Sequence, residues 1–146
     1  MDVMYHSAKT DLARNTRKII RMAQRGQTVV IENHGQAEVA IIDISDYYIL
    51  RALAHYHAYH PAIETGNGLS DATVAAQSSF QEQHNLVVAY YLANEISLSR
   101  AAELLDLTWL DLRTRFLRLD VPLQAASVAD AQADADSLAN WLEPHQ

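Results

Sequence analysis

The chain has 146 residues, 49% of them hydrophobic, and a formal net charge of -7 at pH 7; this is enough for one ordinary domain or two very small ones, and too apolar for wholesale disorder. With no cysteine, disulfide frameworks and thiolate sites are excluded, as befits a reducing cytosol. The opening "MDVMYHSAKTD" lacks the apolar core of a signal peptide and no run approaches the roughly 18 apolar residues of a membrane span, so a cytoplasmic protein is expected.

Residues 2–6, "DVMYH", read as a short strand, after which Ser7 or Thr10 offers a hydroxyl N-cap for a helix running to Gly26. On a helical wheel Leu12, Thr16, Ile19, Ile20 and Ala23 share one side, while Arg14, Arg17, Lys18, Arg21 and Arg25 share the other. "TVVIENHGQAEVAII" then gives two β-branched runs joined by Asn33, His34 and Gly35, where glycine supplies the positive φ of a tight hairpin turn. A second helix follows in "DISDYYILRALAHYHAY", with Ser45 as its N-cap and Tyr48, Leu50 and Leu53 among its residues.

Pro61, Gly66 and Gly68 mark residues 61–70 as a linker. Beyond it, "SDATVAAQSSFQEQ" and "NLVVAYYLANE" read as helices, and "SLSRAAELLDLTWLDLRTRFLRL" as two more around a turn at Asp106 and Leu107, with Thr108 capping the last. Ala101 and Ala102 are small where two helices must approach, which is the pattern of a helix-turn-helix. Its second helix turns Trp109, Leu112 and Phe116 inward and Asp111, Thr114, Arg115 and Arg118 outward. Residues 125–146 are rich in Ala and Asp. There Ser127 and Asp130 resemble a capping box, and Val128, Ala131, Ala135, Leu138 and Leu142 recur at helical spacing beside Trp141.

The fold expected is therefore α+β. A strand-helix-hairpin-helix domain over 1–60 is joined by the 61–70 linker to an all-helical module over 71–124, then to a helical or disordered acidic tail over 125–146. Two pieces this small are each marginal and gain from self-association.

Charge is distributed unevenly. Residues 1–60 hold seven Lys/Arg against six Asp/Glu, whereas residues 61–146 hold four against twelve. Such polarity suggests different partners for the two ends. Five cations along one helical face track a phosphate backbone by displacing condensed counterions, although a solvated surface helix has the same pattern. The helix-turn-helix likewise serves DNA or protein packing. In the tail, Leu138, Trp141 and Leu142 would anchor in a partner's groove with the acids at its rim, or the segment is a frayed end. His55, His57 and His60 have spacings that do not bring three imidazoles together, so no metal or other cofactor is expected. Without a nucleophile elbow, a phosphate-binding glycine loop or an HExxH pattern, no enzyme is expected.

"DLARNTRKIIRMAQRGQTVVIENHGQAEVAIIDISDYY" resembles the Phd/YefM family of antitoxins. The matching positions are Arg14, Asn15 and Thr16, then Val29 to Ile31, Gly35, and Val39 to Ile42, over roughly residues 2–55. Many relatives carry a basic residue where this chain has Glu32 and Asn33. "LVVAYYLANEISLSRAAELLDLTWLDLRTRFLRLDVPL" is similar to a family of short helix-turn-helix proteins often encoded beside PIN-domain toxins. The shared elements are "EIS", "AAELL" and "VPL", with Asp106 where that family has a turn glycine. Together the resemblances imply a type II antitoxin that is a homodimer or higher oligomer, represses its own promoter and neutralises a cognate toxin, a PIN-like ribonuclease. Operator DNA would be met by Arg14, Arg17, Lys18, Arg21 and Arg25, with Thr114, Arg115 and Arg118 in the second module. The toxin would be met by Leu138, Trp141 and Leu142. The alternative is a stand-alone DNA-binding transcriptional regulator with no toxin partner.

Overall fold

The computed structural model describes residues 4–124. Over these residues the fold is α+β, and the chain divides into two compact units between Tyr47 and Tyr48.

The first unit is a three-stranded sheet with β2 (Thr28–Asn33) between β1 (Met4–Ala8) and β3 (Gln36–Ile41). β2 and β3 form the expected antiparallel hairpin, Val29 facing Ile41 and Asn33 facing Gln36. Its two-residue turn has φ of 51° at His34 and 77° at Gly35, the pair of positive values that matches the twist of the flanking strands. β1 lies parallel to β2, with Met4 opposite Thr28, so the chain must cross over between them. The crossover is helical, but in two pieces: α1 (Lys9–Arg14) and α2 (Thr16–Gln24). Asn15, at φ −121° and ψ 34°, separates them, and Thr16 Oγ1 donates back to the Leu12 carbonyl at 2.7 Å.

This differs from the single capped helix expected. β1 runs on to Ala8, so Ser7 is a buried strand residue and Thr10 is already inside α1; neither α1 nor α2 has a side-chain N-cap bond. The core is small. Ile19 of α2 packs with Val29 and Ile31, and Leu12, Met22 and Ile41 close around them. α2 thus buries the i, i+3, i+4 stripe Ile19, Met22 and Ala23, which leaves Ile20 at its edge, 41% exposed rather than inward, and Thr16 exposed as well.

The second unit is built on α3 (Ile44–Tyr59), α4 (Asp71–Ala75), α5 (Phe80–Leu92), α6 (Leu98–Leu104) and α7 (Trp109–Arg118). Asp43, not Ser45, caps α3, its carboxylate accepting the Ser45 N–H at 3.0 Å. Ser70, Ser79, Ser97 and Thr108 each accept a backbone N–H at the start of the helix that follows. The ends are equally regular. After α5, α6 and α7 the chain turns through Asn94, Asp106 and Asp120 at φ 64°, 57° and 59°. The next N–H in each case returns to a carbonyl five residues back, Glu95 to Tyr90, Leu107 to Ala102 and Val121 to Phe116, all at 2.9 Å. This is the left-handed C-terminal motif that glycine most often supplies.

Ile49 and Ala52 of α3, Val87, Val88 and Tyr91 of α5, Ala101 and Ala102 of α6, and Leu112 and Phe116 of α7 form the buried centre. The two alanines let α6 approach its neighbours closely, and the Tyr91 and Phe116 rings lie 5.2 Å apart. Residues 61–70 contain no helix or strand, yet they are not a free linker. Leu69 is buried in this core and Ile63 packs on it. The Glu64 N–H donates to Tyr90 Oη at 3.3 Å, the Gly66 N–H to Glu95 at 2.8 Å, and Arg100 reaches the Leu69 carbonyl at 3.0 Å. The division comes earlier because the apolar face of α3 belongs to the helical core.

Two outcomes follow for this unit. Asp106→Val should lower stability in urea denaturation by about 1–2 kcal/mol, since a β-branched residue resists the left-handed region, while Asp106→Gly should change it little because relief of strain offsets the entropy gained by the unfolded chain. His84 is buried, its Nδ1 donating to the Phe80 carbonyl at 2.6 Å beneath the Tyr48 ring. Burial pushes its imidazole below the ordinary value, against a smaller raising effect of that hydrogen bond. The unfolded chain then binds the proton more readily, so stability should fall as pH drops below about 6.5. His84→Gln should flatten that part of a stability-versus-pH curve.

Candidate nucleic-acid interface

α2 opens against normal helix electrostatics. Its first turn holds Arg17 and Lys18 and no acid, whereas the positive end of the helix dipole favours carboxylates there. Like charges three and four positions apart on α2 and its C-terminal cap, Arg17 with Arg21, Lys18 with Arg21, and Arg21 with Arg25, repel by a few tenths of a kcal/mol per pair. All five are exposed, and among the described residues none has a carboxylate within ion-pair distance.

They share one open groove. Arg14, Arg17, Lys18, Arg21 and Arg25 line a cleft of about 780 Å³ together with Ala13, Asn15, Thr16, Met22 and Gln27. Asn15, where the helix breaks, is part of the lining of this open cleft. Lys18 also lies 5.9 Å above the Tyr5 ring of β1. The acids on the sheet are engaged elsewhere: Glu32 meets His6 at 2.5 Å and Glu38 meets Lys9 at 3.4 Å. Hydrogen bonding from Asn33, then from Lys9, holds the Glu38 carboxyl below its usual range. An uncompensated basic cleft of this kind offers sites for successive anionic groups.

The second candidate surface is different. Leu112 and Phe116 are buried and Trp109 half-buried, as expected. Arg115, however, is drawn against the helix, its side chain 13% exposed and its Nε donating to Asp111 at 3.0 Å. Arg118 is half-buried and engaged. Arg115, three residues after Leu112 and next to Phe116, borders the buried face of α7. Thr114 is exposed, but its hydroxyl donates to the Leu110 carbonyl at 2.8 Å. What the outward face of α7 does present is Leu110 and Leu117, two leucines seven positions apart that a wheel of the charged residues alone passes over.

The anchors Leu138, Trp141 and Leu142 lie outside the described residues. His55 packs on the Tyr59 ring at 4.8 Å and His57 meets the Tyr56 ring edge-on; among the described residues no three His, Asp or Glu side chains gather as a metal site would require. Nor is any helix among them long and apolar enough to cross a membrane. No family model matches the chain, and neither curated proteins nor solved structures give a match.

Proposed function

We propose that this chain is the antitoxin of a type II toxin-antitoxin system: it binds the DNA of its own promoter through the α1–α2 cleft and neutralises a cognate toxin, a PIN-like ribonuclease, through residues 125–146. The observation that carries the DNA half is the groove itself, five cations gathered at an electrostatic cost that an anionic partner would relieve. The toxin half is supported by the resemblance of both segments to antitoxin families and by the acids of the tail. Asp130, Asp134, Asp136 and Glu143 are accompanied by no Lys or Arg. In this reading the protein has no enzymatic role of its own, works in the cytoplasm, and acts as a homodimer. The minute core around Ile19, together with exposed Met4, Tyr5, Ile20 and Val39, favours a second copy covering the first unit.

Anisotropy titrations with DNA from upstream of the gene should show log affinity falling with log salt at a slope of up to about −9 if ten cations of a dimer meet phosphate. Arg17→Ala should make that slope shallower by about 1.8, one contact being lost per protomer. Binding that is absent, or indifferent to salt, rejects the DNA half. Truncation after Leu123 should release a co-expressed neighbouring toxin and restore growth arrest; unchanged neutralisation rejects the tail.

A further inference from the structure

The outward stripe of α7 follows the i, i+3, i+4, i+7 pattern of a helix face made to be covered: Leu110, Arg113, Thr114 and Leu117. Leu110 is 52% and Leu117 48% exposed. Thr114, between the two leucines in sequence, donates its hydroxyl hydrogen to the Leu110 carbonyl, so the stripe keeps no free hydroxyl donor there. Arg113 lies 5.9 Å over the Trp109 ring at the edge of the stripe. Along α7 there are three arginines and one acid, Asp111, while the second unit as a whole is acidic.

We propose that this face is the docking site of the chain's own residues 127–142 in the free protein. Three observations select that occupant. The chain leaves residue 124 beside the end of α7, because the Gln124 N–H donates to Tyr91 Oη at 2.9 Å and its side-chain amide to the Tyr91 carbonyl, and Tyr91 stacks on Phe116 of α7. Residues 125–146 carry four acids and no Lys or Arg, and the cation that borders the stripe is Arg113. Their apolar positions include Ala131 and Leu138, seven apart like Leu110 and Leu117; at 1.5 Å per helical residue both pairs span about 10.5 Å. An antiparallel segment would thus set Leu138 over Leu110, with Trp141 just beyond. The inference concerns the chain alone and does not rest on the antitoxin reading, so it is tested with neither DNA nor toxin present.

The chain has two tryptophans, Trp109 and Trp141. Trp109 Nε1 is buried without a hydrogen-bond partner among the described residues, so Trp109→Phe leaves no polar group stranded and makes Trp141 the sole emitter. In that full-length variant Trp141 should emit at short wavelength and resist acrylamide. Adding Leu110→Asp and Leu117→Asp should shift the emission to the red and raise the quenching constant severalfold. Both leucines are exposed, so the helical circular dichroism should stay unchanged; Leu110→Ser with Leu117→Ser provides a milder pair if it does not. Emission typical of water before the leucines are changed, or shielding that both leucine pairs leave intact, overturns the proposal. Shielding lost on dilution overturns it in favour of the tail of a second copy.

Discussion

The packing of Ile19 against Val29 and Ile31 sets everything the first unit presents to solvent. Those three side chains fix the roll of α2 about its axis, and with it the direction in which Arg17, Lys18 and Arg21 project. A helix of nine residues with cations in its opening turn and no side-chain cap has little reason to persist alone. It is held by the sheet beneath it. The burial of three aliphatic residues therefore sustains a charge arrangement that the helix itself resists.

The second unit solves its stability problem differently. Hydroxyl or carboxylate caps open its helices, left-handed Asn or Asp residues close three of them, and the apolar faces meet in a larger common core. Arg100 ties that core's edge together, bridging the Leu69 carbonyl, Asp71 and Glu103. Polar side chains there serve the fold first, and this is why arginine on a second helix of this pattern is poor evidence for DNA contact.

Much of this architecture is legible in the amino-acid sequence. Alternating β-branched residues around His34 and Gly35 specify the hairpin, because its turn needs two positive φ values. Thr108 and Asp106 likewise mark the start of α7 and the end of α6 through local backbone chemistry. Choices that depend on competition between neighbours were not legible. Asp43 and Ser45 are both good caps, and only the path of the chain decides that Asp43 accepts. Asn15 interrupts a sequence with no proline or glycine to announce it. Pro61, Gly66 and Gly68 suggest slack, but Ile63 and Leu69 between and beside them are apolar enough to be drawn down. In the candidate site, the five cations were readable as a face; that they line a cleft together with Asn15, where the helix breaks, was not.

The pairing of β1 with β2 also has a temporal side. Met4 meets Thr28, so the sheet's first strand waits for a partner that is synthesised only after both crossover helices. Closing that loop is a non-local event whose entropy must be met before its contacts form. In the helical unit, by contrast, α4 to α7 are joined by turns of a few residues. On a growing chain the cationic helices emerge ahead of the strands that orient them, and the groove comes into being only when the hairpin has cleared the ribosome.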